Sequence, residues 1–290
     1  MTNRPPRLLR YAIAALIPAM GLLVATAGGA SAGTITAHAA APSAATHAAA
    51  LARAEIKKLS IGHHSPIQNL SSPGKINGQT QVQSGNWSGY ADTGSSFSKV
   101  SASWTEPGAT CSKRTEQLAA FWVGIDGYSS DSVEQDGTII ECYEGTAYQY
   151  TWWEMYPTND IQVVGESLAA GDAITATVTR SGTSYTLTVT DATHTADSFS
   201  TTQTCSDCDN SSAEWIAEAP SGSSGVYPLA DFGSWTAANA SVTEGSTAGT
   251  ISTFTDDEIT MVDSSGNTEA QPGALNSGGT GFSVAWERSS

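Results

Sequence analysis

One short stretch, Ser212–Glu218, combines carboxyl and apolar side chains in a pattern that can do chemistry. Successive side chains of an extended strand alternate, so Glu214, Ile216 and Glu218 share one face. Apolar surroundings disfavour the charged form of a carboxyl group, which raises its pKa toward the range where it can both take and give a proton. Glu214 is therefore our candidate catalytic residue. The alternative is an ordinary surface strand with two solvated glutamates.

The histidines argue against nucleophilic catalysis, which needs a histidine or comparable base beside the nucleophile. Of the five histidines, only His194 follows residue 75, and it lies in a sequence typical of a surface turn. The chain also lacks the clustered ligands of a metal site. We therefore expect carboxylate chemistry with no metal and no cofactor.

One motif points to a different carboxylate mechanism. Asp92-Thr93-Gly94-Ser95 is similar to the triplet of aspartic peptidases, in which two aspartates share a proton. The chain has one copy, so the second aspartate would have to come from elsewhere or from a second subunit. A turn that follows a strand ending near Ala91 is the simpler interpretation.

Several longer motifs occur in order along the chain, and with them the sequence resembles the glutamic peptidases, also called eqolisins. An ordered set is far more specific than any single motif. The matching pieces are Asn86–Tyr90 (NWSGY), Trp122–Asp126 (WVGID), Gln135–Gly137 (QDG), Trp153–Pro157 (WEMYP), Ala213–Ile216 (AEWI) and Ala230–Gly233 (ADFG).

The resemblance implies a site, a fold and an activity. The family's catalytic glutamine falls on Gln135 and its catalytic glutamate on Glu214, while Trp122, Asp126 and Glu154 would line or support the groove. The implied fold is all-β: a jelly-roll, concanavalin-like sandwich of two antiparallel sheets, one of them bent to form the substrate cleft. The implied activity is endopeptidase action on extended polypeptides. The loop before Gln135 differs from the fungal members in length and lacks a cysteine, so its geometry and their disulfide pairing do not carry over.

A carboxylate and an amide suffice for this chemistry. Ionised Glu214 would take a proton from a bound water and later pass it to the departing nitrogen. Gln135 would orient that water through its carbonyl group and donate an N–H to the developing oxyanion. Two alternatives remain open. A jelly-roll glycoside hydrolase would use Glu154 and Glu214 as paired carboxylates, with Gln135 dispensable, and a lectin-like binding module would not need Glu214 at all.

The elements that must position these residues are strands. Beyond residue 80, short segments rich in β-branched and aromatic residues alternate with turn residues, which indicates an all-β sandwich or barrel. The clearest hairpin joins Ile174–Thr179 to Tyr185–Thr190. Adjacent Trp152 and Trp153 must face opposite sides of their strand, which indicates either an aromatic-lined groove or a buried sheet with an aromatic side chain on each face. Further predicted strands include Phe97–Thr105, Gln117–Ile125, Ser132–Tyr143, Ala147–Tyr156, Ser211–Glu218, Gly249–Phe254 and Glu258–Asp263.

The start of the chain indicates export. Three arginines precede an apolar run that ends before Ala30-Ser31-Ala32, so residues 1–32 are predicted to be a signal peptide rather than an uncleaved membrane anchor. Residues 33–75 have few large apolar side chains and are predicted to be a pro-segment or linker. Residues 76–290 would form one β-sandwich catalytic domain. We expect a secreted, extracellular monomer with no stable membrane association after the signal is removed.

The charge is unevenly divided. Residues 1–75 carry a net charge of +6 and residues 76–290 carry −22. So acidic a body argues against nucleic-acid and anionic-membrane partners, and it favours an acidic workplace, where protonation relieves repulsion. The opposite charges predict an electrostatic contact between leader and body that loosens in acid. The alternatives are a simple gain in solubility and a leader with no inhibitory role.

Four cysteines follow residue 75, and an even number in an exported protein favours disulfides. We predict Cys111–Cys142 and Cys205–Cys208. A redox-active or zinc-binding Cys-x-x-Cys is the alternative, although no second ligand pair lies nearby.

Overall fold

The computed structural model describes residue 46 and residues 49–54, 74–76 and 79–289. The predicted signal peptide lies outside these residues, and so does most of the predicted pro-segment. Residues 49–54 are helical. Within the described part of the chain, no helix is long and apolar enough to cross a membrane.

The described body is built almost entirely of strands, which confirms the predicted all-β class. Short 3-10 turns occur at Thr195–Asp197 and Ile251–Thr253. The strands are β1 (Gly74–Ile76), β2 (Gln79–Ser84), β3 (Trp87–Thr93), β4 (Phe97–Thr105), β5 (Gln117–Ile125), β6 (Val133–Tyr143), β7 (Thr146–Tyr156), β8 (Asn159–Gly165), β9 (Ala173–Ser181), β10 (Ser184–Asp191), β11 (Phe199–Thr204), β12 (Ser212–Glu218), β13 (Ser221–Gly222), β14 (Gly225–Val226), β15 (Ser234–Glu244), β16 (Thr247–Gly249), β17 (Thr255–Val262), β18 (Thr268–Pro272) and β19 (Phe282–Trp286).

The large strands form the two layers of a sandwich. The first sheet has the order β1-β2-β17-β3-β12-β5-β6-β7-β8, and the second has the order β11-β10-β9-β4-β15-β16. Strand β15 joins the layers, because its first half pairs with β19 and its second half with β4. The pairings are antiparallel except that of β2 with β17, which is parallel.

The core lies between the two sheets and is rich in aromatic side chains. Trp235 stacks on Phe121 with ring centroids 5.4 Å apart and meets Trp104 edge-on at 5.7 Å. Trp215 of β12 also points into this core, where its Nε1 donates to the carbonyl oxygen of Ser101 on β4, 3.0 Å away. This bond fixes β12 against the second sheet.

A second apolar cluster covers the opposite face of the first sheet, which we call the site face. Trp152 belongs to this cluster, whereas Trp153 packs against the core between the sheets, so the two tryptophans face opposite sides as predicted. Further members of the site-face cluster are Trp87, Ala91, Leu118, Ala120, Trp122, Ile139, Tyr150, Ile161, Val163, Ile216 and Ile259.

Most predicted strands are confirmed, two of them with identical bounds, and the predicted hairpin is β9 and β10. The prediction of a strand over Gly249–Phe254 is wrong. Strand β16 ends at Gly249, and a 3-10 turn follows because Thr250 and Thr253 bond reciprocally to each other's backbone N–H. Strand β15 (Ser234–Glu244) was not predicted, because its residues are mostly small or hydroxylated and give only a weak alternation of apolar side chains.

Both predicted disulfides form. Cys111–Cys142 ties the loop before β5 to the end of β6, and Cys205–Cys208 closes a short loop after β11. Because Cys205 and Cys208 of the Cys-x-x-Cys motif form a disulfide with each other, their sulfur atoms are not available as thiolate ligands.

Asp92, from the triplet that is similar to that of aspartic peptidases, lies on the core side of β3, away from the site face. It is fully buried, and within the described residues neither carboxyl oxygen has a hydrogen-bond partner. Desolvation raises its pKa to about 9, and the charges of Asp256 and Glu244 add to the shift. The folded protein therefore keeps a proton on Asp92 that the unfolded chain releases above about pH 4.

We predict that Asp92→Asn flattens the dependence of stability on pH. A raised pKa contributes stability that is complete below the unfolded value and is lost as pH rises toward 9. From pH 4 to pH 7 this loss is about 4 kcal/mol, at 1.36 kcal/mol per pH unit. Urea unfolding at both pH values measures it, with the exposed Asp160→Asn as the control. Equal slopes in Asp92→Asn and wild type would contradict the prediction.

Candidate active site

The strand pairings fix one row of residues across the first sheet. Strand β12 lies between β3 and β5, so Glu214 is opposite Ala91 on one side and Gly124 on the other. The pairing of β5 with β6 then puts Gln135 beside Gly124. We call the whole set the polar row, and its members in order are Asp257, Ala91, Glu214, Gly124, Gln135 and Glu154.

A glycine separates the two predicted catalytic residues. Glu214 and Gln135 are two strands apart, about 10 Å between Cα atoms, and Gly124 between them has no side chain to block their approach. A Cβ on Gly124 would lie 2.8 Å from Cζ3 of Trp122 and 3.4 Å from Cβ of Gln135. The space above Gly124 is therefore bordered by the Trp122 ring and the Gln135 side chain, and Glu214 lies beside it on the neighbouring strand.

Gln135 is held by its neighbour in the row. Its Nε2 donates to Oε2 of Glu154 at 2.8 Å, while its Oε1 has no hydrogen-bond partner among the described residues. The bond to Glu154 fixes which end of the amide is the donor. The carbonyl oxygen is thus left to accept a hydrogen bond from another group.

Glu214 is buried completely, and neither of its carboxyl oxygens has a hydrogen-bond partner among the described residues. Desolvation raises its pKa well above the ordinary value, the nearby Ser212 hydroxyl lowers it in part, and the carboxyl groups of Asp126, Glu134 and Asp92 raise it further. In this covered state the neutral form of Glu214 is favoured.

Asp126 supports the site from outside the row. Its carboxylate accepts the backbone N–H groups of Asn210 and Ser211, at 2.7 and 2.8 Å, and the Ser211 hydroxyl at 3.1 Å. These residues immediately precede β12. Asp126 therefore anchors the start of the strand that carries Glu214, rather than lining the groove.

Trp122 belongs to a second row that runs beside the polar row on the site face. Its Nε1 donates to Oε2 of Glu218 at 2.8 Å, and its ring meets Trp87 edge-on at 5.0 Å. We call this set the apolar row. Its members in order are Ile259, Gly89, Ile216, Trp122, Gly137 and Trp152.

Two groups among the described residues have spacings that could hold a metal ion, and both lie off the polar row. The first combines Glu134 with the two disulfide-bonded cysteines. The second is Asp172, Asp191 and His194. Its carboxylates already serve the loop, since Asp191 accepts the backbone N–H of His194 at 2.8 Å and Asp172 lies 3.0 Å from the His194 ring nitrogen. Neither group gives a reason to invoke a metal.

Sequence reasoning missed two polar residues at the end of the polar row. Asp257 lies in β17 one residue before the predicted strand, and Tyr128 lies in the loop between β5 and β6. The Tyr128 hydroxyl donates to Oδ2 of Asp257 at 2.5 Å. No single-sequence signal connects residues so far apart, because their contact follows from the pairing of β17 with β3.

Comparisons with known proteins agree with this architecture. The model of the Peptidase A4 family matches residues 85–285. Aspergillopepsin-2 of Aspergillus niger is 29% identical over 195 residues, which cover 59% of this chain and 69% of that protein. A crystal structure of scytalido-glutamic peptidase with a peptide-based transition-state analogue has a TM-score of 0.59 and 25% identity, covering 70% of this chain and 98% of that one.

The crystal structure of aspergilloglutamic peptidase from Aspergillus niger has a TM-score of 0.51 and 30% identity, covering 59% of this chain and 99% of that one. The family match takes in well over half of the chain, including every member of the polar row. The chain therefore belongs to the Peptidase A4 family, the glutamic peptidases or eqolisins, and is a hydrolase of the endopeptidase class.

Proposed function

We propose that this protein is a secreted, monomeric acid endopeptidase in which Glu214 and Gln135 activate water against a peptide bond. The observation that carries the proposal is the position of these residues in one row, separated only by Gly124. A carboxyl group and an amide that converge over a glycine can hold a water and a substrate carbonyl between them. The substrates would be unfolded or extended polypeptides.

The hydrogen bonds support a division of roles. Glu154 holds one N–H of Gln135, which leaves the Gln135 carbonyl oxygen to orient a water and the second N–H to stabilise the oxyanion. Ionised Glu214 takes a proton from this water as it attacks the substrate carbonyl carbon. Protonated Glu214 then delivers the proton to the amide nitrogen as the C–N bond breaks.

Because Glu214 is fully buried, we interpret the structure as an inactive state in which the site is closed to solvent and substrate. A substrate cannot reach two fully buried side chains, and a neutral Glu214 cannot act as a base. Opening the site to water would remove the desolvation that raises the pKa of Glu214, so access and ionisation would be restored together. We propose that removal of a pro-segment, residues 33–75, provides this opening, and that residues 1–32 direct export.

One prediction concerns Glu214 and Gln135, the proposed catalytic dyad. Glu214→Gln and Gln135→Ala should each lower kcat/KM on denatured protein at acid pH by at least about 100-fold, because each removes proton transfer or oxyanion stabilisation. Mass spectrometry of the products measures the loss, and melting temperatures verify folding. Glycan cleavage that survives Gln135→Ala would favour the glycoside hydrolase. A function that survives Glu214→Gln would favour the binding module.

The glycine gives a second prediction. Gly124→Ala should lower kcat/KM by roughly 10- to 100-fold, since the new methyl group displaces Trp122 or Gln135 and small misplacements have large effects on rate. Stability should fall by about 1–3 kcal/mol, because crowding the buried Trp122 ring costs more than the removal of a strand glycine gains. Gly108→Ala is the matched control, as its Cβ would meet only the Ala170 Cβ at 3.4 Å. Full activity in Gly124→Ala would argue against convergence above this residue.

A described part of the predicted pro-segment contacts the domain. Arg53, in the helical residues 49–54, forms an ion pair with Glu166 just after β8, and Ala52 beside it is fully buried. The charge of Arg53 also acts on Tyr150, a member of the site-face cluster. This contact supports a leader that docks by charge and loosens when carboxylates protonate.

We predict that Glu166→Gln in the full chain moves the onset of activity to higher pH. The acceleration at a fixed pH should not exceed about fivefold, because a half-exposed ion pair contributes roughly 0–1 kcal/mol. Time courses of activation measure the effect, and the exposed Glu144→Gln serves as the control. The proposal would be wrong if the onset of activity matched that of wild type at every pH in Glu166→Gln, in Arg53→Ala and in a chain that lacks residues 33–75.

A further inference from the structure

Tyr128 and Asp257 form a polar pair on the site face next to Glu214. Tyr128 packs on the site-face apolar cluster, and its hydroxyl donates to Oδ2 of Asp257 at 2.5 Å. Both residues are partly exposed, unlike Glu214 and Gln135. Asp257 lies in the polar row two strands from Glu214, and ionised Glu214 raises the pKa of the Tyr128 hydroxyl. The pair is therefore accessible and lies close to the proposed dyad.

The loop that carries Tyr128 is fixed by its own hydrogen bonds. Gly127 donates its backbone N–H to the Ser130 hydroxyl at 2.8 Å, and that hydroxyl in turn donates to the Ser132 carbonyl oxygen. The loop is thus held at its centre and at the entry to β6. These bonds hold the backbone on both sides of Tyr128, and the bond to Asp257 orients its hydroxyl, as a binding contact requires.

The two rows define a direction for a bound chain. The apolar row raises large side chains along one side, Ile259, Ile216, Trp122 and Trp152 among them. In the polar row beside it, Ala91 and Gly124 have the smallest side chains and leave the most room above the sheet. A chain lying along the polar row would cross Gln135 and then Glu214, and it would reach Asp257 two strands beyond Glu214, about 10 Å away. An extended peptide covers this distance with about three residues.

The hydroxyl of Tyr128 offers an acceptor to such a chain. Burial, the hydrogen bond to Asp257 and the charges of Asp257 and Glu214 raise its pKa above the usual range, so the hydroxyl stays protonated. Its proton is donated to Asp257, which leaves the lone pairs of the Tyr128 oxygen to accept a hydrogen bond from another group. The hydrogen bond of Tyr128 goes to Oδ2 of Asp257, so Oδ1 of the same carboxylate offers a second acceptor atom.

We infer that Tyr128, oriented by Asp257, is a substrate-positioning residue that accepts a backbone N–H of the peptide about three residues from the scissile bond. The inference rests on the proposed function and adds a specificity for substrate length to it. Peptides that extend at least three residues on this side of the cleaved bond gain the contact. Shorter peptides do not reach it and depend on the dyad alone.

The test compares peptides of different length and their N-methylated forms. Synthetic peptides with one cleavable bond are extended from two to four residues on either side of that bond, and single backbone nitrogens in the extension are methylated to remove the N–H. For wild type, one extension should raise kcat/KM about 10-fold, and one methylation should abolish the gain. In Tyr128→Phe both effects should vanish, mainly through KM, while cleavage of the shortest peptides is unchanged.

Two further variants complete the design. Asp257→Asn should weaken the length effect partly, since an amide oxygen still accepts the Tyr128 proton. Tyr148→Phe is the matched control, because Tyr148 also packs partly buried on the site-face cluster; it should retain the full length effect. Melting temperatures show that all variants are folded.

A methylation penalty of equal size in wild type and Tyr128→Phe would overturn the inference, and so would an equal loss on short and long peptides in Tyr128→Phe. A length effect that requires lysine or arginine at the third residue, and not the backbone N–H, would overturn it in favour of charge recognition by Asp257. Failure of the proposed function is separately visible, because peptide cleavage would then survive Glu214→Gln whatever Tyr128→Phe does.

Discussion

The dominant constraint on this protein is that it buries carboxyl groups with almost no cations to neutralise them. Thirteen aspartates and glutamates are buried among the described residues, whereas no described lysine or arginine is. A buried ionised carboxylate needs a partner, and without one the group takes up a proton instead. The fold uses both solutions. Asp126 is satisfied by backbone N–H groups, while burial raises the pKa of Glu134 to about 9 and that of Asp136 well above its usual value.

The same chemistry links stability to catalysis. Each carboxyl group with a raised pKa adds stability in acid and takes it away as the solution becomes neutral. Glu106 shows the intermediate case: it is held by Trp104 and Gln149, and its pKa still rises to about 8 because it is desolvated. Glu214 differs from these residues in its position rather than in its chemistry. It lies on the site face beside Gly124. Hydration there would lower its pKa, so that the carboxyl group ionises and can act as a base.

The sequence predicted what depends on local pattern and on the family's ordered motifs. Alternation gave the β9–β10 hairpin, and cysteine number and spacing gave both disulfides. It could not give what depends on which strands pair. Asp126 was predicted to line or support the groove, and the sequence could not show how: its carboxylate holds the start of β12 through Asn210 and Ser211, which lie far away in sequence. The contact of Tyr128 with Asp257 was missed for the same reason.

The site depends on register more than on any single side chain. A slip of one residue in a strand turns its whole set of side chains to the other face, so a slip of β12 would send Glu214 into the core and Trp215 onto the site face. Strand β12 is protected against this, because it pairs with β3 and β5 without irregularity and Trp215 bonds to the second sheet. Register shifts do occur, between β4 and β15, β7 and β8, and β17 and β18. None of them lies in a pairing that builds the polar row. The register that aligns the polar row is therefore regular across all of its strands.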